Sequence, residues 1–400
     1  MEREVLSSFK KLKSYCESEH YKGWDPFDGL NSKVFQALPL LKKSAFCREV
    51  VIQGFKRNPI NLRCLAVVPK EYNAKGIGLF LQGYCNLVKL VRMHPELESD
   101  LGTEGELITK VNEIAELLIS LQSKGDYHGA CWGYNFDWQA RGGLFFPKYT
   151  PTVVATNFCA TALMEAYELT KKKDYLNTAL SSAEFVMQDL HRYPCDGGFL
   201  FSYSPLPGNN TVFNASLLGS RLLAYCYHYT KKQDYLYAAK VSVSACCKGQ
   251  SDDGSWIYGL GPTQGWIDSY HTGYNLDGLI GYEEMTGDST FHDYIEKGYK
   301  YYISHFFDKD GEPWHFIGHK YPIDIHCPGQ LLVTMSRCHQ YDRDKALADK
   351  VLSWAVSNMQ DKKGYFYYQL KKPVSTKIPY MRWSNAFMFC AISYYLLELK

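Results

Sequence analysis

One turn recurs along the chain, and it constrains the architecture more than any other feature. Thr170-Lys-Lys-Lys-Asp174-Tyr175-Leu176 returns 60 residues later as Thr230-Lys-Lys-Gln-Asp234-Tyr235-Leu236. A degraded copy, Thr286-Gly287-Asp288-Ser-Thr-Phe291, follows 56 residues on, and a fainter one surrounds Tyr341-Asp342. In each, a long segment ends, a short polar turn follows, and an Asp opens a second segment, where it is expected to N-cap a helix. A unit of this length cannot bury its own apolar face and must stack on its neighbours.

The two segments of a unit differ. The first, about Val153 to Leu169, is apolar nearly all round and rich in Ala155, Ala160, Ala162 and Ala166, as a buried helix is. The second, about Tyr175 to Leu190, keeps Leu176, Ala179, Ala183, Val186 and Leu190 on one face. Six segments of the first kind begin near Ala74, Val153, Val212, His271, Ile325 and Arg382; five of the second begin near Glu106, Asp174, Gln233, Thr290 and Lys345. The last inner helix lacks an outer partner, and a helix around Ser32 to Phe55 lacks an inner one, so these two are expected to pair. The pattern predicts an all-α fold, an (α/α)6 toroid in a single domain over 1–400. Residues 1–60 form its lead and closing helix, and 61–400 the other hairpins. An open solenoid is the alternative, but no polar capping repeat is present.

Composition bounds the rest. Hydrophobic residues make up 46% of 400, enough for a large core, and 15% are aromatic, which suits both helix packing and a sugar site. Lys and Arg total 44 against 42 Asp and Glu, with no run of five like charges, so the overall balance offers nothing to nucleic acid or an acidic membrane. The 13 Cys include no CxxC, and Cys246-Cys247 is a poor disulfide pair. Met1-Glu2-Arg3-Glu4 is followed by no apolar leader, and no run approaches the ~18 residues of a membrane span. Reduced thiols in the cytoplasm are therefore expected. The sequons at Asn209 and Asn214 are then chance matches.

Gly- and aromatic-rich loops lead from each outer helix to the next inner one: Gly133 to Arg141, Asp196 to Phe199, Asp253 to Tyr258, Asp310 to Trp314 and Gly364 to Tyr368. In an alternating ring all five share one face, around the inner-helix N-termini, and the first is the longest. Free N–H groups and partial positive charge there favour an anionic or hydroxyl-rich ligand, such as a uronate.

Four clusters fall on that face. Trp132 to Arg141 offers Asp137 and Arg141 among Trp132, Tyr134 and Trp138. Trp266 to Tyr274 offers Asp268 and His271, three apart, with Tyr274. Tyr321 to Cys327 offers Asp324 and His326, two apart. Pro379 to Asn385 offers Arg382 and Trp383. Singly, Asp268 and Asp324 also read as N-caps, His271 and His326 as core histidines, and Arg382 as an ion-pair partner. Their convergence argues for a site. The expected catalytic set is Asp137, Asp268, His271, Asp324 and His326. The expected substrate contacts are Trp132, Tyr134, Trp138, Arg141, Trp256, Tyr274, Trp314, Arg382 and Trp383. No metal or cofactor is assigned. Glycosidic cleavage would use two of the carboxyls. Elimination or epimerisation would use an imidazole or tyrosine base with an arginine. Gly23 to Ser32 reads first as a capped lead into the closing helix, the alternative being that its two acids, Asp25 and Asp28, reach the cavity rim.

Through Gly23 to Ser32, Gly133 to Arg141, Asp268 to Tyr274, Asp324 to His326 and Arg382 to Phe387, the chain resembles the six-hairpin glycosidase-like superfamily. More narrowly, it resembles uncharacterised proteins of bacterial cell-surface polysaccharide biosynthesis clusters. That resemblance implies a saccharide substrate and hydrolase, lyase or epimerase chemistry. Other toroids are weighed against it. Gln250 to Trp256 matches the QxxDGxW motif of triterpene cyclases, weakly echoed at Gln360 to Phe366, but their DxDD acid motif is absent. Zinc toroids such as lanthionine cyclases and prenyltransferases are suggested by His326-Cys327, without a recognisable ligand spacing. A non-catalytic saccharide- or partner-binding toroid remains the non-enzyme reading.

Overall fold

The computed structural model describes residues 2–140 and 143–398. Six inner helices span Ala74–Met93, Val153–Thr170, Phe213–Thr230, Ser269–Thr286, His326–Arg337 and Phe387–Leu397, the last led in by a π-helical turn at Met381–Ala386. Each packs on the next, and the sixth packs on the first, so the ring closes. The inner helices are surrounded on all sides: from Val153 to Met164 every residue is buried, the polar Thr156, Asn157 and Thr161 included.

Outer helices span Glu104–Ser120, Lys173–Glu184, Gln233–Lys248, His292–His305 and Tyr341–Met359, each laid against its own inner helix. The sixth outer position is filled by Glu2–Ser18, which packs on the sixth inner helix and on Tyr341–Met359. This corrects the expected pairing. Val5, Phe9, Leu12 and Cys16 give Glu2–Ser18 the buried stripe that a closing helix needs. The segment from 32 to 57 is instead broken into Lys33–Gln36, Pro39–Lys43 and Ala45–Arg57, restarted by the Ser32 and Ser44 caps. It lies across the loop face, with Leu30, Phe35 and Ile52 packed toward Trp138 and Phe145.

The recurring turn has a local cause. The hydroxyls of Thr170, Thr230 and Thr286 each donate to the carbonyl four residues back, at 2.7 Å, and accept from a backbone N–H two residues on. Lys171, Lys231 and Gly287 then turn the chain in the left-handed region. Asp174 and Asp234 are not N-caps as expected. They lie inside the first turn, after Lys172 and Lys232, where their charge faces the helix dipole. Three short antiparallel ribbons stiffen the loop face, at 138–139 with 145–146, 192–195 with 198–201, and 323–324 with 369–370. All 13 cysteines are unpaired, and among the described residues no helix is long and apolar enough to cross a membrane.

Candidate active site

At the loop face a cavity of about 160 Å³ opens into the ring. Every inner helix contributes to it from its first turn or, for the sixth, from its lead-in: Lys75, Val154, Asn214, then Tyr270 and His271, then His326, then Arg382 with Trp383. The preceding loops add Tyr134, Phe136, Trp138, Tyr203 and Tyr258, and Phe27 comes from the N-terminal segment. Trp138 and Trp383 are both within 6.1 Å of Phe27, ring to ring, so three flat faces meet at the mouth.

One imidazole is held by an acid. Asp268 caps the fourth inner helix: Oδ1 accepts from the His271 backbone N–H at 3.0 Å, and Oδ2 lies 2.6 Å from His271 Nδ1. Trp266 Nε1 donates to the same Oδ2 at 3.0 Å. Burial alone would raise the Asp268 carboxyl, but the adjoining His271 outweighs it and holds the group below its usual value. A carboxylate on Nδ1 fixes the proton there and leaves His271 Nε2 as an acceptor. The carboxylate is 1% exposed and the imidazole 21%, so it is the imidazole that substrate can reach.

The other imidazole ends a buried chain. His326 Nε2 is 2.6 Å from Tyr274 Oη, which accepts from Lys75 Nζ at 3.1 Å. His326 Nδ1 has no described partner. Burial, then Lys75, Arg382 and His271, hold the His326 imidazole well below its usual pKa, which favours the uncharged ring. Burial, then Arg382, likewise hold the Lys75 ammonium well below its ordinary value, partly offset by Asp25. Lys75 forms no ion pair among the described residues; its Nζ sits 4.2 Å over the Phe158 ring and 5.0 Å over Tyr274. Tyr270 stands between the imidazoles, its ring centre 4.5 Å from His271 and 4.8 Å from His326.

Arg382 is already matched. Its Nε and NH2 donate to both oxygens of Asp25 at 2.6 and 2.8 Å, a bidentate buried pair. Asp28 is engaged behind it by Arg63 Nε at 2.7 Å, and burial pushes its carboxyl up to about 6 against that arginine. Gly23 to Ser32 is thus the anchor of Arg382 as well as a lead-in.

Of the expected site, the structure gathers His271, His326, Tyr134, Trp138, Tyr274, Arg382 and Trp383 on one cavity, with Asp268 directly behind His271. Asp324 does not line it. Its Oδ1 accepts from Trp383 Nε1 and the His326 backbone N–H, and Oδ2 accepts from Gln369 Nε2 at 2.6 Å, so it positions two cavity residues from outside. Asp137 is also off the cavity, accepting from the Lys148 backbone N–H at 2.9 Å. Trp132 and Trp256 are core residues whose indoles donate to Leu118 and Cys246 carbonyls, and Trp314 lies away from the lining. Arg141 is outside the described residues. Sequence reasoning missed Lys75, Tyr203, Asn214, Tyr258 and Tyr270. For Lys75 a signal existed: it is a charged residue in the first turn of an inner helix whose first eight residues are otherwise apolar.

Residues 248–397 match the family model described as Glycosyl Hydrolase Family 88. No curated protein matches the chain in sequence. Among solved structures, the chain is similar to a cellobiose 2-epimerase from Bacillus thermoamylovorans, with 12% identity and a TM-score of 0.61 over 82% of this chain and 90% of that one. It is also similar to an unsaturated glucuronyl hydrolase specific for heparin, with 14% identity and a TM-score of 0.55 over 80% and 85%. A polysaccharide lyase aligns with 99% of this chain and 97% of its own, at 12% identity and a TM-score of 0.58. The fold is therefore an (α/α)6 toroid, the architecture these solved structures share.

Proposed function

We propose that this is a carbohydrate-active enzyme that moves a proton to or from a sugar carbon, by epimerisation or elimination, on an oligo- or polysaccharide. The observation that carries the reading is the chemistry of the lining. Among the described residues the cavity presents two imidazoles, an ammonium, a guanidinium and several phenols, and no carboxyl group. Hydrolysis by paired carboxyls would need two of them flanking the glycosidic bond. Here Asp268 stands behind His271 and Asp25 behind Arg382.

In this proposal the sugar ring stacks at the mouth against Trp138, Trp383 and Phe27. His271 Nε2, oriented by the Asp268 carboxylate on Nδ1, takes the proton from carbon. The His326–Tyr274–Lys75 chain supplies or receives the second proton. Lys75, which forms no ion pair among the described residues, stabilises the negative charge that builds on the adjoining carbonyl or carboxylate oxygen. A uronate would present such a carboxylate. The cellobiose 2-epimerase and polysaccharide lyase likenesses support this chemistry class. The family match over 248–397 favours hydrolysis as a second reading, because that stretch contains Asp268 and Asp324.

The sequence resemblance extends the proposal to cell-surface polysaccharide metabolism in the cytoplasm. Cell fractionation tests that location: recovery outside the cytoplasmic side overturns it.

The test of the chemistry is to incubate the wild type and His271→Ala with neutral and uronate-containing oligosaccharides in deuterium oxide. Deuterium uptake without cleavage establishes epimerisation, and new ultraviolet absorbance from an unsaturated uronate establishes elimination. Reducing ends alone, with carbon-bound hydrogen unchanged, overturn the proposal in favour of hydrolysis. Binding without turnover in the wild type makes the chain a binding module.

A further inference from the structure

The whole-chain charge balance hides a local asymmetry. Residues 33–67 hold seven of the 44 Lys and Arg but, in Glu49, only one of the 42 acids. Of the basic residues only Arg63 is buried, on Asp28. The same stretch carries ten of the seventeen exposed large hydrophobic residues among those described, with Leu40 at 85%, Leu65 at 80% and Phe46 at 76%. These are not the inner face of a helix awaiting its core. Phe35 and Ile52 already pack inward, and what remains points outward from three short helices and the 58–68 loop. Val67 holds a left-handed backbone, φ 53°, which is strained for a β-branched residue, at an exposed apolar position.

From this we propose that residues 33–67 dock the protein on an anionic lipid bilayer. Protruding apolar side chains interleaved with Lys33, Lys42, Lys43 and Arg57 match a bilayer interface, where the former enter the acyl boundary and the latter meet acidic headgroups. A second copy of this chain fits poorly. A two-fold contact would lay this basic surface against itself. The surface adjoins the cavity: Lys56 lies 4.3 Å over the ring of Phe27, which lines the mouth, and Arg48 donates to Gln139 of the first loop. A saccharide carried on a lipid would thus be presented at the opening. The docking surface stands whether or not the proposed chemistry holds.

Vesicle flotation decides it, with phosphatidylcholine vesicles against ones containing about one-third phosphatidylglycerol. The wild type is expected to bind the anionic vesicles at least tenfold more tightly, with the preference weakening as salt is added. Lys42→Glu with Lys43→Glu, and separately Leu40→Ser with Leu65→Ser, are each expected to lose about tenfold. Both pairs are exposed, so thermal melting should be unchanged. Three results overturn the proposal: no preference for anionic vesicles, binding untouched by both double variants, or a dimer in ultracentrifugation that Leu40→Ser with Leu65→Ser dissociates while vesicles are ignored.

Discussion

Asp268 and Asp324 both precede an imidazole at an inner-helix start, yet only His271 leans on its acid. The spacing explains it. Three residues place the ring back over the N-cap, so one carboxylate serves both backbone and imidazole; two residues let Asp324 reach only the His326 backbone N–H. Asp268→Asn should therefore keep the cap, since Asn caps as well as Asp, and lose the fixed tautomer of His271. Turnover is expected to fall by about 10²–10⁴-fold, with the melting temperature at neutral pH lower by a few degrees. A carboxyl held below its usual 3.8 contributes stability above that pH and loses it as pH falls through the folded-state value. The stability gap between wild type and Asp268→Asn should accordingly be widest above about pH 4 and close on acidification, as urea titrations at several pH values will show. Lys75 gives the converse case. A buried ammonium without an ion pair costs stability, so Lys75→Met should melt at the same or a higher temperature while turnover drops at least about a hundredfold. A lower melting temperature with turnover preserved would make Lys75 structural. The His271 pair was legible because motif spacing maps directly onto a helix start. The role of Asp25 was not, because its partner Arg382 lies 357 residues away and only ring closure brings them together.

At the scale of the element, the repeat was legible because the same turn chemistry recurs, though threonine rather than aspartate proves to organise it. The closing helix was misplaced for a physical reason. The stretch from 32 to 57 is rich in apolar residues, but many of them face outward, and hydrophobic periodicity does not say which face meets protein. What ties neighbouring hairpins is a polar clasp. Gln250 Nε2 donates to the Gly254 and Tyr294 carbonyls, and Gln360 Nε2 repeats this with Gly364 and Ser8. The QxxDGxW-like motif and its echo are hairpin ties. Gly364 is indispensable to the second clasp. Its φ is +101°, and a Cβ would collide with the Lys11 backbone of the closing helix. Gly364→Ala should destabilise the protein by about 2–4 kcal/mol, in the range of strain at a special backbone position. Amide exchange should rise first in Glu2–Ser18. Uniform loss of protection around the ring would contradict this local role.

Closure of the ring governs how damage spreads. In an open array each hairpin touches only its neighbours in sequence, so a lesion at one end leaves the other end protected. Here the first and last inner helices share a boundary, and the closing helix covers it. Phe9 of Glu2–Ser18 lies 5.0 Å, ring to ring, from Phe389 of the sixth inner helix, and Phe389 in turn lies 5.2 Å from Phe80 and 5.0 Å from Tyr84 of the first. Gly83 permits that approach, since a Cβ there would press into the Phe389 ring. Phe9→Ala removes a fully buried ring and should cost about 3–5 kcal/mol. Its signature is spatial: amide exchange should accelerate in both Ala74–Met93 and Phe387–Leu397, opposite ends of the sequence, while Ser269–Thr286 on the far side of the ring keeps its protection. The cavity reports the same event. Lys75 stands on the first inner helix and Arg382 on the lead-in to the sixth, so loosening that seam separates the cation supplied by one from the tyrosine–imidazole pair and the guanidinium supplied by the others. Turnover should fall in Phe9→Ala with no residue of the cavity changed, and a variant that unfolds its termini yet keeps full activity would show that the ring need not be closed to work.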